Sequence, residues 1–373
     1  MPAPEEIARV VAGVVAPAAA GGDRLARFPR AAVNALGRKG VLGMTASRRL
    51  GGGGRGLAEA ARVVEQVARV CGGTATVLRA HFAAVAVLEA HGDTAVRAEV
   101  AAGRHLSTLA LSDAGPGRRL LAPEGSSHRH GGVVDLHGRK AWVVSAGEAD
   151  SYVWAGRPAA GRGPATLWFV PGHAPGLLVP DHDGGIGLRA SAATTVLADP
   201  VRVPETNTLG ADGDGAEVVL DLALPWFLGL GAAVALGLAE GAIAETAAQL
   251  AAGRCGSGDP RADLARMRLR ADAVRVLQDD AFATFSWEPA HALPKLFHLC
   301  LASAETVTAV TEQAMKLCEG VAFSGDGGIE RRFRDARASC ALEPAVDTVV
   351  GLAARMSADF AAPAGIGELD AAR

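Results

Sequence analysis

Apolar residues in this chain recur at helical spacing near both ends and at strand spacing in the middle. That reversal of period narrows the available folds more than any other feature. From Pro4 to about Gly103 the pattern is helical: Leu25, Phe28 and Val33 lead to Leu36 and Val41-Leu42. After a break at Gly51–Gly54, Leu57, Ala61, Val64, Val67 and Val70 fall three or four residues apart, and Val77 to Glu89 forms another such stretch. Between Leu106 and about Gly210, short β-type runs (Ser107–Ser112, Ala141–Ser145, Tyr152–Ala155, Thr166–Val170, Thr194–Leu197) are divided by Gly, Pro and Asp clusters. From Ala216 helices return. One stripe joins Leu264, Met267, Ala271, Val274, Leu277, Ala281 and Phe285, and another Leu296, Leu299, Ser303, Val310, Ala314 and Leu317. The order predicts an α+β multidomain chain. An N-terminal helical domain (1–105) precedes a small central β-barrel or sandwich (106–210) and a C-terminal four-helix bundle (211–373).

Composition excludes several partners. The 373 residues are 21% charged with a formal charge of −3, and no Lys/Arg cluster offers a footprint for nucleic acid or an anionic membrane. The apolar run Leu222 to Ala239 has the length of a membrane span. It passes Pro225 and is rich in Ala and Gly, so a buried core helix is expected. Glu5 and Glu6 precede only a weakly apolar Val/Ala stretch, which does not read as a secretory leader. Five scattered cysteines suit reduced thiols and a cytoplasmic protein.

Some local patterns imitate sites. Gly51–Gly54 lacks the Lys-Ser/Thr of a phosphate loop. His128 and His130 in "SSHRHGG" have no Cys or carboxylate framework, so a solvent loop is expected and no metal. His291 and His298 lie on apolar helical sequence and are expected in the core or at its boundary.

Four segments in order carry a resemblance. "ALSDAGPG" (Ala110–Gly117), "HGRKAWVVSAGEAD" (His137–Asp150), "GLRASAATTVLADPVRVPETNTLG" (Gly187–Gly210) and "RRFRDARASCALEP" (Arg331–Pro344) resemble, at near-family spacing, motifs of the acyl-CoA dehydrogenase superfamily. The chain is thereby identified as a divergent, flavin-dependent member. The resemblance implies FAD as cofactor, with Leu111, Ser112, Gly117, Trp142, Val144, Ser145, Lys316 and Gly320 in the matching cofactor-binding segments. Ser112 matches a threonine that hydrogen-bonds the flavin pyrimidine end, and Trp142 a tryptophan packed by the flavin. Val144 stands where the family has a threonine facing flavin N5, with Ser145 beside it. Lys316-Leu-Cys-Glu-Gly320 stands where the family has Q-x-x-G-G, and Lys316 can pair with a diphosphate.

Glu343, nine residues after Arg334, falls at the family's catalytic glutamate. A carboxylate sheltered from water beside a flavin has a raised pKa suited to abstracting a weakly acidic α-proton. Leu342, Pro344 and Ala345 replace the usual Tyr, Gly and Thr around it. The resemblance implies α,β-dehydrogenation of an acyl thioester carried by CoA or a carrier protein, electrons passing to an acceptor or oxygen. The alternatives are a flavin monooxygenase of a specialised metabolite and a catalytically inactive partner subunit. A homodimer or homotetramer is expected.

Overall fold

In a computed structural model the structure describes residues 4–115, 120–181, 184–255, 258–323, 328–342 and 345–361, side chains of 356–361 excepted. The N-terminal helices are α1 (Pro4–Val10), α2 (Ala16–Arg24), α3 (Arg30–Arg38), α4 (Leu57–Ala68), α5 (Gly72–His91) and α6 (Thr94–Ala101). Strands follow: β1 (Ser107–Ala110), β2 (Ser127–His130), β3 (Val133–Val143), β4 (Ser151–Gly156), β5 (Thr166–Pro171), β6 (Leu177–Leu178), β7 (Thr194–Pro204) and β8 (Thr208–Leu209). The chain then returns to helix in α7 (Gly215–Val218), α8 (Leu224–Ala251), α9 (Pro260–Trp287), α10 (Ala292–Phe323), α11 (Gly328–Ala341) and α12 (Val346–Ala361).

The strands form two four-stranded sheets, ordered β1-β4-β5-β8 and β2-β3-β7-β6. Strand β4 is buried at all six positions, because its two faces serve different cores. Tyr152 and Trp154 join Val134, Leu136, Val196 and Val201 between the sheets. Val153 and Ala155 turn to the helical core that also holds Leu78, Phe82 and Leu228. A strand covered on both faces reads as a near-continuous apolar run, as "YVWA" does.

Helix α8 lies at the centre of the molecule, packed on α4, α5, α9, α10 and α11. The helical segment Gly215–Ala251 is long and apolar enough to cross a membrane, yet its most apolar window is 83% buried inside the protein. Each fully buried Leu or Phe contributes about 1.5–3 kcal/mol, so a helix apolar all round is held most strongly in a core. Pro225 follows a π-helical turn at Val219–Ala223. The wider turn accommodates a residue with no N–H to give.

Three expectations need correction. His128 and His130 lie on strand β2, paired antiparallel with β3, and not in a loop. Gly131 and Gly132, both at positive φ, close that hairpin in the geometry tight turns require. The polar run SHRH hides the strand, because its exposed edge carries no apolar alternation. His291 and His298 are exposed, neither core nor boundary; among the described residues the buried histidine is His81 on α5. On α9, Leu277 is 42% exposed and Gln278 occupies the buried position beside it.

His81 shows how the domains are joined. Its Nε2 donates to the Leu42 carbonyl at 2.8 Å, which leaves Nδ1 to accept the Ser107 N–H at 3.2 Å. Burial pushes its pKa down to about 4, so the ring is neutral and ties α5 to the start of β1.

Candidate active site

Strand β3 is interrupted near its end. Its register with β7 shifts between Lys140 and Val143, and Trp142 takes φ +53°. Ala141 and Val143 stay buried while the indole is 44% exposed. Ser145, Leu188 and Ala192 also lie in the left-handed region, which costs a non-glycine residue roughly 1–2 kcal/mol. The two strained segments are laced together: Ser145 N–H donates to Ser191 O at 2.9 Å and Ala146 N–H to Ala192 O at 3.1 Å. Clustered strain held by neighbouring structure is a property of working sites.

Trp142 lines two clefts. One, shared with Leu109, Leu111, Ser112 and Leu120, faces Val219, Ala223, Leu224 and Phe227 at the head of α8. The other runs beside Ala114, Arg139, Thr194 and Thr195. The hydroxyl of Ser112 is buried and, like that of Ser191, has no hydrogen-bonding partner among the described residues. A buried hydroxyl without a partner costs about 1–3 kcal/mol, and at the wall of a cleft it is free to hydrogen-bond a ligand. A hydroxyl and an exposed indole flanking an apolar cleft between sandwich and bundle supply the polar and the stacking contacts that a flavin ring takes.

The backbone carrying Ser112 is set by Lys140, which is completely buried. Its Nζ donates to Leu111 O at 3.1 Å and to Asp113 Oδ1 at 2.6 Å, and sits 5.4 Å from the Trp154 ring. Burial lowers its pKa and the Asp113 carboxylate opposes that shift. Val144 is buried and its carbonyl accepts from Thr108 Oγ1 at 2.7 Å.

The structure thus gathers Leu111, Ser112 and Trp142 around one cleft, with Val144 and Ser145 following along the strained segment. Lys316 and Gly320 line neither cleft. Lys316 is exposed on α10 and pairs with Glu312 at 2.9 Å. Gly320 follows a break in α10, where Glu319 adopts φ 30°, ψ −111°. Gly117 and Glu343 lie outside the described residues; Leu342, just before Glu343, is buried.

Sequence reasoning assigned no role to Lys140, Ser191 or Arg79. The first two sit inside quoted motifs, which was their only signal. Arg79 left none, since one arginine in an apolar helical stretch ordinarily projects to solvent. Among the described residues no group of three or more His, Cys, Asp or Glu could hold a metal ion.

Comparison with known proteins agrees with this fold. Residues 4–103 match the family model "Acyl-CoA dehydrogenase, N-terminal domain" and residues 213–343 match "Acyl-CoA dehydrogenase, C-terminal domain". The short-chain specific acyl-CoA dehydrogenase of Bos taurus mitochondria is 28% identical over 86% of this chain and 81% of its own length. An acyl-CoA dehydrogenase of Bacillus subtilis is 27% identical over 87% and 88%. The solved butyryl-CoA dehydrogenase of Megasphaera elsdenii superposes with a TM-score of 0.86 at 19% identity, covering 95% of this chain and 96% of its own. Two domain models that together match well over half of the residues, on a shared fold, establish that the chain belongs to the acyl-CoA dehydrogenase family.

Proposed function

We propose that this enzyme removes the α and β hydrogens of an acyl-CoA thioester, using FAD. The single observation that carries the reading is the buried hydroxyl of Ser112, without a partner among the described residues, set with Trp142 in a cleft between sandwich and bundle. When bound, FAD supplies the acceptor for the hydride leaving Cβ. Ser112, with the backbone of Leu111, would hold the ring's polar edge, and Trp142 its face. Leu109, Leu224 and Phe227 keep water from that space, which strengthens every charge interaction inside. Glu343 is the proposed base for the α-proton.

Anaerobic mixing of the flavin-loaded protein with a panel of acyl-CoA and carrier-bound thioesters tests this. Bleaching of the oxidised flavin by a thioester alone is expected. Reduction only through a separate flavin reductase would move the enzyme to oxygenase chemistry.

A homo-oligomer and a cytoplasmic location belong to the same reading. Leu269, Val276, Trp287 and Phe323 are 67–85% exposed on the bundle, apolar area that association would cover. The five cysteines are free thiols, which suits a reducing compartment. Light scattering at micromolar concentration should give a dimer or tetramer, and a monomer with flavin bound would contradict it.

A further inference from the structure

Two thiols 63 positions apart in the chain meet in the fold: the Sγ atoms of Cys255 and Cys318 lie 3.9 Å from each other. The end of α8 is shaped to bring them there. Gly253 takes φ +69°, its N–H donates to Leu250 O at 3.0 Å, and the Arg254 N–H donates to Gln249 O at 2.9 Å. This pair of bonds, with a glycine in the left-handed region, is a cap that closes the last turn and reverses the chain. Cys255 is thereby sent back along α8, where its thiol donates to the Thr246 carbonyl at 3.7 Å. Cys318 reaches the same point from α10, which packs on α8. Among the described residues Cys71, Cys300 and Cys340 contact no second thiol.

The two partners are unequal in a useful way. Cys318 is buried. Burial, and next the Cys255 thiol beside it, push its pKa up to about 12, so it stays protonated and unreactive alone. Cys255 is half-buried on the irregular connection between α8 and α9, where an oxidant arrives first and the side chain has room to rotate. A more accessible cysteine poised beside a second one that can resolve it is the arrangement of reversible thiol sensors. The position matters too. Cys318 immediately precedes Glu319, where α10 leaves helical geometry.

We propose that Cys255 and Cys318 form a redox modification site, converted by hydrogen peroxide to a reversible disulfide that clamps the α8–α9 connection onto α10 at its break. The Cys255 sulfur attacks one peroxide oxygen, the O–O bond breaks, and the departing hydroxide takes the thiol proton as water. The sulfenic acid left behind is attacked by the Cys318 sulfur. Its S–O bond breaks, and hydroxide leaves with the Cys318 proton as a second water. Two thiols thus give up two electrons and one peroxide is reduced. A dithiol reverses the reaction by exchange, so in a reducing compartment the bond is transient. The site does not depend on the dehydrogenase reading.

The test treats the flavin-loaded protein with hydrogen peroxide, alkylates it without reduction and digests it with trypsin. Cleavage after Arg254 and Lys316 places the two thiols on separate peptides, 255–261 and 317–331. A linked pair of these peptides is expected, and dithiothreitol should release it. A cross-link that closes a long loop constrains the unfolded chain, so oxidised wild type should melt several degrees above the reduced form. Cys255→Ser and Cys318→Ser should show no such gain. Sulfinic or sulfonic acid at Cys255 without the link overturns the proposal, as does a link to Cys71, Cys300 or Cys340 instead. An oxidised midpoint at or below the reduced one overturns the clamp. Should Cys318→Ser not fold, Cys255→Ser and the wild-type peptide map decide.

Discussion

The carboxylate of Asp335 on α11 accepts the backbone N–H of Leu188 at 2.6 Å, joining the C-terminal bundle to the strained segment beside Ser191. Its other oxygen lies where a Cβ on Gly72, at the start of α5, would be only 2.7 Å away. One side chain therefore meets all three parts of the fold. The neighbouring arginines fasten the same helix: Arg334 to Asp23 at 2.7 Å, Arg331 to the Val70 carbonyl and Arg332 to the Arg69 carbonyl.

Burial, the largest influence on Asp335, raises its pKa from 3.8 to about 6. Asp23 adds to that shift, while the Leu188 hydrogen bond, Arg331 and Arg334 oppose it. A carboxyl whose folded pKa exceeds its unfolded value favours the folded state when protonated. That contribution is present below pH 3.8 and is lost as pH rises through about 6. The span corresponds to about 3 kcal/mol. Urea unfolding of Asp335→Asn should accordingly show less loss of stability between pH 4 and pH 7 than wild type. Parallel pH profiles would show that Asp335 does not titrate in this window.

Lys140 is predicted to act on flavin affinity through Ser112. Lys140→Met keeps the bulk of the stem but releases Leu111 O and Asp113. FAD binding should weaken about tenfold, on the order of one charge-assisted hydrogen bond lost, with far-ultraviolet circular dichroism retained. Calorimetric titration with FAD checks this, and wild-type affinity would refute the positioning role.

Ser112→Ala should separate folding from ligand binding. The apoprotein loses a buried hydroxyl that has no partner among the described residues, so its thermal midpoint should hold or rise. Affinity for FAD should fall roughly 3- to 10-fold, the worth of one neutral hydrogen bond. A drop in apoprotein stability with unchanged affinity would mean that the hydroxyl serves the fold.

Glu343→Gln is nearly isosteric and cannot accept a proton. Flavin content and oligomeric state should remain as in wild type, while thioester-driven flavin reduction slows by about 10²–10⁴-fold. Stopped-flow absorbance reads the rate directly, and reduction at the wild-type rate would remove Glu343 as the base.

The period of apolar residues determined the helical–β–helical order, because burial of one face imposes its repeat on the sequence. It also determined α8 as a core helix, since nothing else shields a helix apolar all round. Four motifs in order pointed to the flavin segments because their glycines, Trp142 and Ser112 stand at fixed spacing on one continuous piece of chain. Tertiary structure alone decided what sequence-distant residues do together. Lys140 is apolar in surroundings though not in type, and only the packing of β3 under Trp154 and beside Asp113 makes it a buried anchor. Arg79 reads as one more helix cation until α8, α10 and α11 close over it. Likewise Asp335 becomes a junction only when Leu188 and Gly72, 147 and 263 positions away in the chain, are folded against it. Local pattern records which face is covered; which charge is left inside depends on elements far apart in the chain.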